Sequence, residues 1–201
     1  MDDTYYTIHQ RTQHEIKARG SRFLAEVVPV EQRSEAEEAL TAIRKEFHDA
    51  THHCYAYRIG SKGELYRIHD DGEPGGTAGR PILTAIDRLS LTNVLVVVTR
   101  YFGGTKLGVG GLARAYGEAA ELVLQAAGRK TCYIMSRCDV RFPHECISAV
   151  MRLVSHHQAK IVETHYAEQV SMRLEIRTSM AERLRADLVE STRGQLLLDP
   201  P

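Results

Sequence analysis

The sequence contains no apolar run long enough to span a bilayer, and its polar start, Met1-Asp2-Asp3-Thr4, is not a signal peptide. Its four cysteines, Cys54, Cys132, Cys138 and Cys146, form no C-x-x-C pair, and a chain of 201 residues needs no disulfide framework. These absences exclude a membrane role and predict a reducing, cytoplasmic location. There is also no excess of charge: 26 basic residues balance 26 acidic ones. A protein that grips nucleic acid over a broad phosphate-neutralising surface is normally basic, so any such contact here must be local. G-x-S-x-G, H-E-x-x-H and the Gly-Lys-Ser/Thr ending of a phosphate-binding P-loop are all missing, as is any cysteine in a nucleophile motif. Internal repeats and low-complexity segments are missing too. No metal or cofactor is expected.

What is present reads as ordinary globular protein, 43% apolar and 26% charged, sufficient for one large domain or two small ones. The C-terminal part, residues 131–201, alternates in Thr131 to Phe142, then opens a helix at Pro143 with Ile147, Val150, Met151 and Val154 as its stripe. Residues 160–166 and 169–177 read as a hairpin. Ser179 and Glu182 read as a capping box opening a second helix, which stops at Gly194 before a last strand over 195–198. The order β-α-β-β-α-β is that of a ferredoxin-like domain.

Residues 1–128 read as mixed α and β. Strands are expected over 14–18 and 21–30, then over 53–59 and 64–68, as hairpins. One helix follows a capping box at Ser34 and Glu37, and another opens at Pro81. Hairpin strands with helices collected together predict α+β rather than a doubly wound sheet. The short Gly128-Arg129-Lys130 connection is the expected boundary.

Two loops stand out. An apolar strand, Val94 to Val98, leads into Arg100-Tyr101-Phe102-Gly103-Gly104-Thr105-Lys106-Leu107-Gly108-Val109-Gly110-Gly111, followed by a helix from Leu112. Five glycines between Gly103 and Gly111 imply positive φ or close approach to something else. Gly108 to Ala113 formally satisfies G-x-G-x-x-G/A, but the strand ends too early and no ribose-binding acid follows at the right distance. An anion site is the better physical reading. It uses the N–H groups at the helix start, the charges of Lys106 and Arg114 with Arg80 and Arg100 adding to them, and Tyr101 and Phe102 as stacking faces. The competing reading makes the glycines packing devices, Tyr101 and Phe102 core residues, and Arg114 an i,i+4 partner of Glu118.

The second loop, Asp70-Asp71-Gly72-Glu73-Pro74-Gly75-Gly76-Thr77-Ala78-Gly79-Arg80, holds three carboxylates in four residues, suited to Mg²⁺ or acid–base chemistry or else to a solvated turn. His52 and His53, adjacent in a strand, point to opposite faces and cannot share one ion.

Taken together, Ser21-Arg22-Phe23, Ala50 to Ala56, Asp70 to Gly79, and Arg100 to Gly104 with Gly108 to Tyr116 resemble the IMPACT family, in particular its bacterial, YigZ-like branch. The resemblance implies an N-terminal α+β fold similar to the second domain of a small-subunit ribosomal protein. It also implies a ferredoxin-like C-terminal domain resembling the last domain of elongation factor G. It ties the two loops into one signature: Asp70, Asp71, Gly72, Glu73, Pro74, Thr77 and Gly79 with Gly103, Gly104, Gly108, Gly110 and Gly111. Eukaryotic relatives regulate translation through an additional N-terminal domain that this sequence lacks, so a kinase-competition role does not transfer. For the bacterial branch, RNA or ribosome association is implied.

The leading expectation is therefore a non-enzymatic, translation-linked binding protein that contacts RNA phosphates through the glycine loop, with the ferredoxin-like sheet as a second surface. The alternatives are an enzyme or sensor for a phosphorylated small molecule, using Asp70, Asp71 and Glu73 across one cleft from the glycine loop, and a protein–protein adaptor.

Overall fold

Five buried residues in succession, Val94 to Val98, need apolar cover on both sides of a strand, and the computed structural model supplies it. The structure describes residues 3–198; Met1 and Asp2 of the polar start, and residues 199–201, lie outside the described residues. The chain divides into two compact units, one over Tyr5–Cys132 and the other over residues 3–4 and 133–198. The secondary structure is mixed α and β, with five α-helices among the described residues.

The first unit contains β1 (Thr4–Ile8), β2 (Thr12–Ala18), β3 (Ser21–Pro29), α1 (Arg33–Glu46), β4 (His52–Ile59), β5 (Leu65–His69), α2 (Gly79–Arg88), β6 (Val94–Tyr101), α3 (Gly108–Ala127) and β7 (Arg129–Tyr133). Its main sheet is antiparallel in the order β2-β3-β6-β4-β5, with β6 at the centre. Val94, Val96 and Val98 face α2 and α3 in a core that includes Ile82, Ile86, Tyr116 and Val123. Leu95 and Val97 face α1 through Ala36, Leu40 and Ile43. Burying each such side chain is worth roughly 1.5–3 kcal/mol. The helices therefore lie on both faces of an antiparallel sheet, where the sequence pattern alone gathers them together. The continuous apolar run in β6 is the sign of that two-sided cover.

Several boundaries differ from expectation for local reasons. β6 continues through Thr99, Arg100 and Tyr101, because these residues pair with β3 and β4. α3 begins at Gly108 rather than Leu112, so three of the five glycines form its first turn. α2 begins at Gly79, which places Pro81 inside the first turn. The cap of α1 is at Gln32, with the Glu35 carboxylate accepting from the Gln32 N–H at 3.4 Å. Gly128, expected in a connection, ends α3, and Arg129 already belongs to β7, which pairs with β1. β1 has no counterpart among the strands expected from sequence. It is held at Tyr6 by the Thr92 N–H, which donates to the Tyr6 carbonyl at 2.8 Å, and by the Arg129 guanidinium, 3.3 Å from the Tyr6 ring centroid.

The second unit contains β8 (Met135–Phe142), α4 (Ile147–His156), β9 (Lys160–Tyr166), β10 (Val170–Arg177), α5 (Thr178–Ser191) and β11 (Leu197–Leu198), the expected β-α-β-β-α-β order. The sheet runs β11-β8-β10-β9 and is antiparallel throughout. Cys138, Val140 and Phe142 with Val170, Met172, Leu174 and Ile176 pack against Val150 and Val154 of α4 and Leu184 and Leu188 of α5. Cross-strand ion pairs line the other face, with Arg173 between Asp139 at 2.9 Å and Glu163 at 3.1 Å. The alternation expected over Thr131 to Phe142 breaks at Ile134. There the backbone turns to give its N–H to the Asp3 carbonyl and take the Thr178 N–H on its own.

The start of α5 shows how a local capping box can mislead. Its cap comes from Asp3, whose carboxylate accepts from the Ser179 N–H at 3.0 Å, the Ser179 hydroxyl at 2.7 Å and the Arg177 guanidinium at 2.7 Å. Hydrogen bonding to Arg177, and then to Ser179, holds the Asp3 carboxyl well below the usual carboxylate range. A depressed folded-state pKa contributes stability above the unfolded value and loses it as pH falls through the folded value. Thermal melts of wild type and Asp3→Ala should thus differ at pH 7, with the wild type higher, and converge as the pH is lowered below 4. A difference that stays constant across this range would remove the cap from the account.

Candidate functional site

Strand alternation puts Arg100 on the same face of β6 as Val98, beneath α3. Its register partners are Phe23 on β3 and His52 on β4. A guanidinium so enclosed needs a counter-charge, and Glu73 from the loop between β5 and α2 provides it. Arg100 Nη1 donates to Glu73 Oε1 at 2.6 Å, with both side chains about 95% buried. The same oxygen accepts the Tyr116 hydroxyl of α3 at 2.7 Å. Arg100 Nη2 donates to Ser21 Oγ at 3.2 Å, and Ser21 Oγ also accepts the Gly103 N–H at 3.2 Å. The rings of Phe23 and Phe102 each lie 5.4 Å from the guanidinium carbon. Arg100 Nε has no hydrogen-bond partner among the described residues.

This centre joins the two loops singled out in the sequence. Glu73 belongs to one, Arg100 and Gly103 open the other, and Tyr116 comes from the helix that follows. His52 Nδ1 hydrogen-bonds the Asp71 carbonyl at 2.8 Å, and its Nε2 lies 3.9 Å from Glu73 Oε1. Cys54 donates its thiol to the Asp70 carbonyl at 3.0 Å. Burial, then the nearby carboxylates of Glu73, Asp71 and Asp70, push the Cys54 thiol up to about 12, against the lowering effect of Tyr116. Burial likewise raises the Tyr116 phenol, reinforced by Cys54 and Glu73. His53 points to the opposite face, where Nδ1 meets Thr99 Oγ1 at 3.1 Å.

The other two carboxylates are engaged by the protein as well. Asp70 accepts the N–H groups of Gly76 at 2.8 Å, Ala78 at 3.0 Å and Gly79 at 2.8 Å, so it caps α2. Burial opposes its ionisation, but those three N–H groups outweigh burial and lower its pKa. Asp71 accepts from Arg44 of α1 and from the His53 N–H, each at 2.8 Å. Thr77 closes the Pro74 turn through its hydroxyl at 2.7 Å, and Gly72 holds φ +88°. Among the described residues no group of three or more His, Cys, Asp and Glu side chains is placed to hold a metal ion.

The phosphate-binding candidates separate into two kinds. Arg100 is an internal ion-pair partner rather than an exposed ligand, because β6 carries it under α3. Tyr101 is half-buried, with its hydroxyl donating to Asp49 at 3.0 Å and the Arg22 guanidinium 5.3 Å from its ring centroid. Phe102, Gly103, Gly104, Lys106, Gly108 and Gly110 are exposed, as are Arg80 and Arg114. Gly103 packs so closely on the β2–β3 turn that a Cβ there would lie 2.0 Å from the Gly20 backbone. At Gly108, with φ +74°, nothing lies within 4 Å of a Cβ position, and the same open space surrounds Gly104 and Gly110. Gly111 is half-buried against Leu107. Lys106 has no ion-pair partner among the described residues, and Arg114 does not pair with Glu118.

Ser21, His52, Cys54 and Tyr116 all lie in the segments that carry the family resemblance, but no sequence pattern assigns them to one centre. The readable signal is a charged residue, Arg100, directly after an apolar strand. If the strand continues, that charge is buried and must find an acid and hydrogen-bond partners. Glu73→Ala should leave the Arg100 charge enclosed and unpaired, costing about 3–5 kcal/mol in urea unfolding. A loss below about 1 kcal/mol, the worth of an exposed pair, would mean that the pair is not a closure. Cys54, held as a buried thiol, should resist iodoacetamide at pH 8 in the native protein while half-buried Cys132 reacts. Peptide mapping that finds equal labelling would contradict the enclosure of Cys54.

Comparison with known proteins follows the same division of the chain. The Impact N-terminal domain model matches residues 19–124, and a domain of unknown function, DUF1949, matches residues 140–195. The chain is similar to the IMPACT family member YvyE of Bacillus subtilis (strain 168), at 36% identity over 83% of this chain and 76% of the relative. It is also similar to the IMPACT family member YigZ of Escherichia coli (strain K12), at 29% identity over 73% and 72% of the two chains. A crystal structure of an hypothetical protein superposes with a TM-score of 0.74 and 26% identity, covering 98% of this chain and 97% of that one. With more than half of its length matched by the N-terminal domain model, and a relative above 30% identity aligned over most of it, this chain belongs to the IMPACT family.

Proposed function

We propose that this is a translation-linked binding protein whose first unit contacts RNA phosphates through the exposed segment from Phe102 to Gly111. The observation that carries the reading is the contrast between the starts of α2 and α3. α2 is capped by Asp70, whereas α3, 20 residues long, has no side-chain cap and no acidic residue in its first turn. Its N–H groups carry partial positive charge into a segment where Gly104, Gly108 and Gly110 leave open space. Lys106 is exposed beside it without an ion-pair partner among the described residues, and Phe102 offers an exposed aromatic face. The RNA assignment and the link to translation come from the family resemblance; an RNA or ribosomal partner in the cytoplasm fits a local anion site on a chain of zero net charge.

In this reading Arg100 positions the segment rather than touching RNA, while Arg80 and Arg114 contribute exposed charge. An enzyme or sensor built on Asp70, Asp71 and Glu73 is not advanced, because each of these carboxylates is already taken up by protein donors.

Fluorescence anisotropy with a labelled ten-nucleotide single-stranded RNA at low and moderate salt tests the proposal. Wild type should bind at low salt, and Lys106→Ala should weaken binding several-fold with a shallower salt dependence. Gly110→Ala separates function from folding. In the first turn of α3 alanine should stabilise the protein by up to about 1 kcal/mol, yet its methyl group should weaken RNA binding. No binding at low salt, or affinity indifferent to both variants, rejects the reading.

A further inference from the structure

A groove of about 500 Å³ lies between α2 and α3, away from the buried centre, and three arginines line it: Arg80, Arg88 and Arg114. All three are exposed, and none has a carboxylate partner among the described residues. This is notable because Glu118 and Glu121 line the same groove, yet neither neutralises a guanidinium. Three unpaired guanidinium groups with two carboxylates and a volume in the range of small-ligand sites make a surface of mixed but net positive charge. Ala85, Ala113 and Gly117 line the groove with no more than a methyl group each, and at Gly117 a Cβ would lie 3.7 Å from Pro81.

We infer that this groove is a second binding site and that its ligand is a phosphorylated ribonucleoside unit, either a free nucleotide or one residue of an RNA strand. The inference rests on the RNA reading above for the class of ligand; its site shares Arg80 and Arg114 with that reading and adds Arg88, Glu118 and Glu121. Guanidinium groups pair with phosphate bidentately and with a fixed geometry. A carboxylate accepts hydrogen bonds from ribose hydroxyls and from exocyclic amines, groups that a bare phosphate lacks. The 2′-hydroxyl is the group by which a protein distinguishes RNA from DNA. The pairing of unneutralised arginines with unneutralised glutamates therefore selects a ligand that is anionic at one end and rich in donors at the other. A simple anion would leave Glu118 and Glu121 facing its charge.

The test uses the full chain and anisotropy with labelled ten-nucleotide RNA and DNA of the same sequence, together with competition by the four ribonucleoside 5′-monophosphates. Arg88 lies in the last turn of α2 and is not part of the glycine segment, so Arg88→Ala is the diagnostic variant, with Arg88→Lys as the charge-retaining control. Arg88→Ala should weaken RNA binding about tenfold and reduce the salt slope by about 0.7 for each phosphate it no longer neutralises. Arg88→Lys should recover part of the affinity. Glu118→Ala should narrow the preference for RNA over DNA. Unchanged melting temperatures exclude a folding effect.

If Arg88→Ala binds as wild type while Lys106→Ala is weakened, the groove inference falls and the glycine-segment reading stands. The reverse pattern upholds the groove and removes the glycine segment. Absence of any binding by wild type overturns both. If millimolar monophosphates displace the RNA completely and the strand binds no tighter than they do, the site serves free nucleotides; tighter binding by the strand assigns it to RNA.

Discussion

Opposite charges enclosed in a protein interior cannot be separated cheaply, and in the first unit this constraint falls on Glu73 and Arg100. Arg100 is fixed by the ladder that holds β6 between β3 and β4. Glu73 lies in a loop between β5 and α2 that turns at Asp70, whose carbonyl accepts the Glu73 N–H at 2.9 Å, and again at Pro74. The ion pair fixes the middle of the loop to β6, and the Tyr116 hydroxyl ties the same carboxylate to α3. Asp70 and Asp71 then have fixed positions from which to cap α2 and hold Arg44 of α1. Three carboxylates that look like chemistry in the sequence act first as fasteners between a loop and the elements around it.

The same centre accounts for the division of labour among the glycines. Ser21 is shared by Arg100 and the Gly103 N–H, which draws the start of the glycine segment onto the β2–β3 turn. Gly103 is needed there because two backbones meet with no room for a side chain. Beyond Leu107, Gly108 meets a different demand, its φ of +74°, whereas Gly110 has neither a positive φ nor a close neighbour. Architecture thus accounts for Gly103, Gly108 and Gly111, and leaves Gly110 without a packing reason.

Much of this is legible in the residues. Alternation in β8 and β10, the glycine at the end of α5 and the apolar run of β6 report burial directly, because their cores are formed by neighbours on the same or adjacent elements. What escapes the sequence depends on distant partners. Asp3 caps a helix that begins 175 residues later, and no local pattern at Ser179 could reveal it. β1 has its partner in β7, at the far end of the same unit. Arg100 reads as a free cation as long as β6 is taken to end at its last aliphatic residue, and only pairing with β3 and β4 extends the strand past it. Resemblance links the two loops; the link itself, a carboxylate from one on a guanidinium from the other, is visible only in three dimensions.

Asp70 at the start of α2 has one more consequence. A carboxylate tethered a few residues from the helix it caps is present at an effective concentration on the order of millimolar or higher, and it is already desolvated and oriented. A dissolved anion must outcompete it for the same N–H groups, and loses unless it brings much stronger contacts of its own. The protein thus carries a permanent internal competitor at the start of α2 and none at the start of α3.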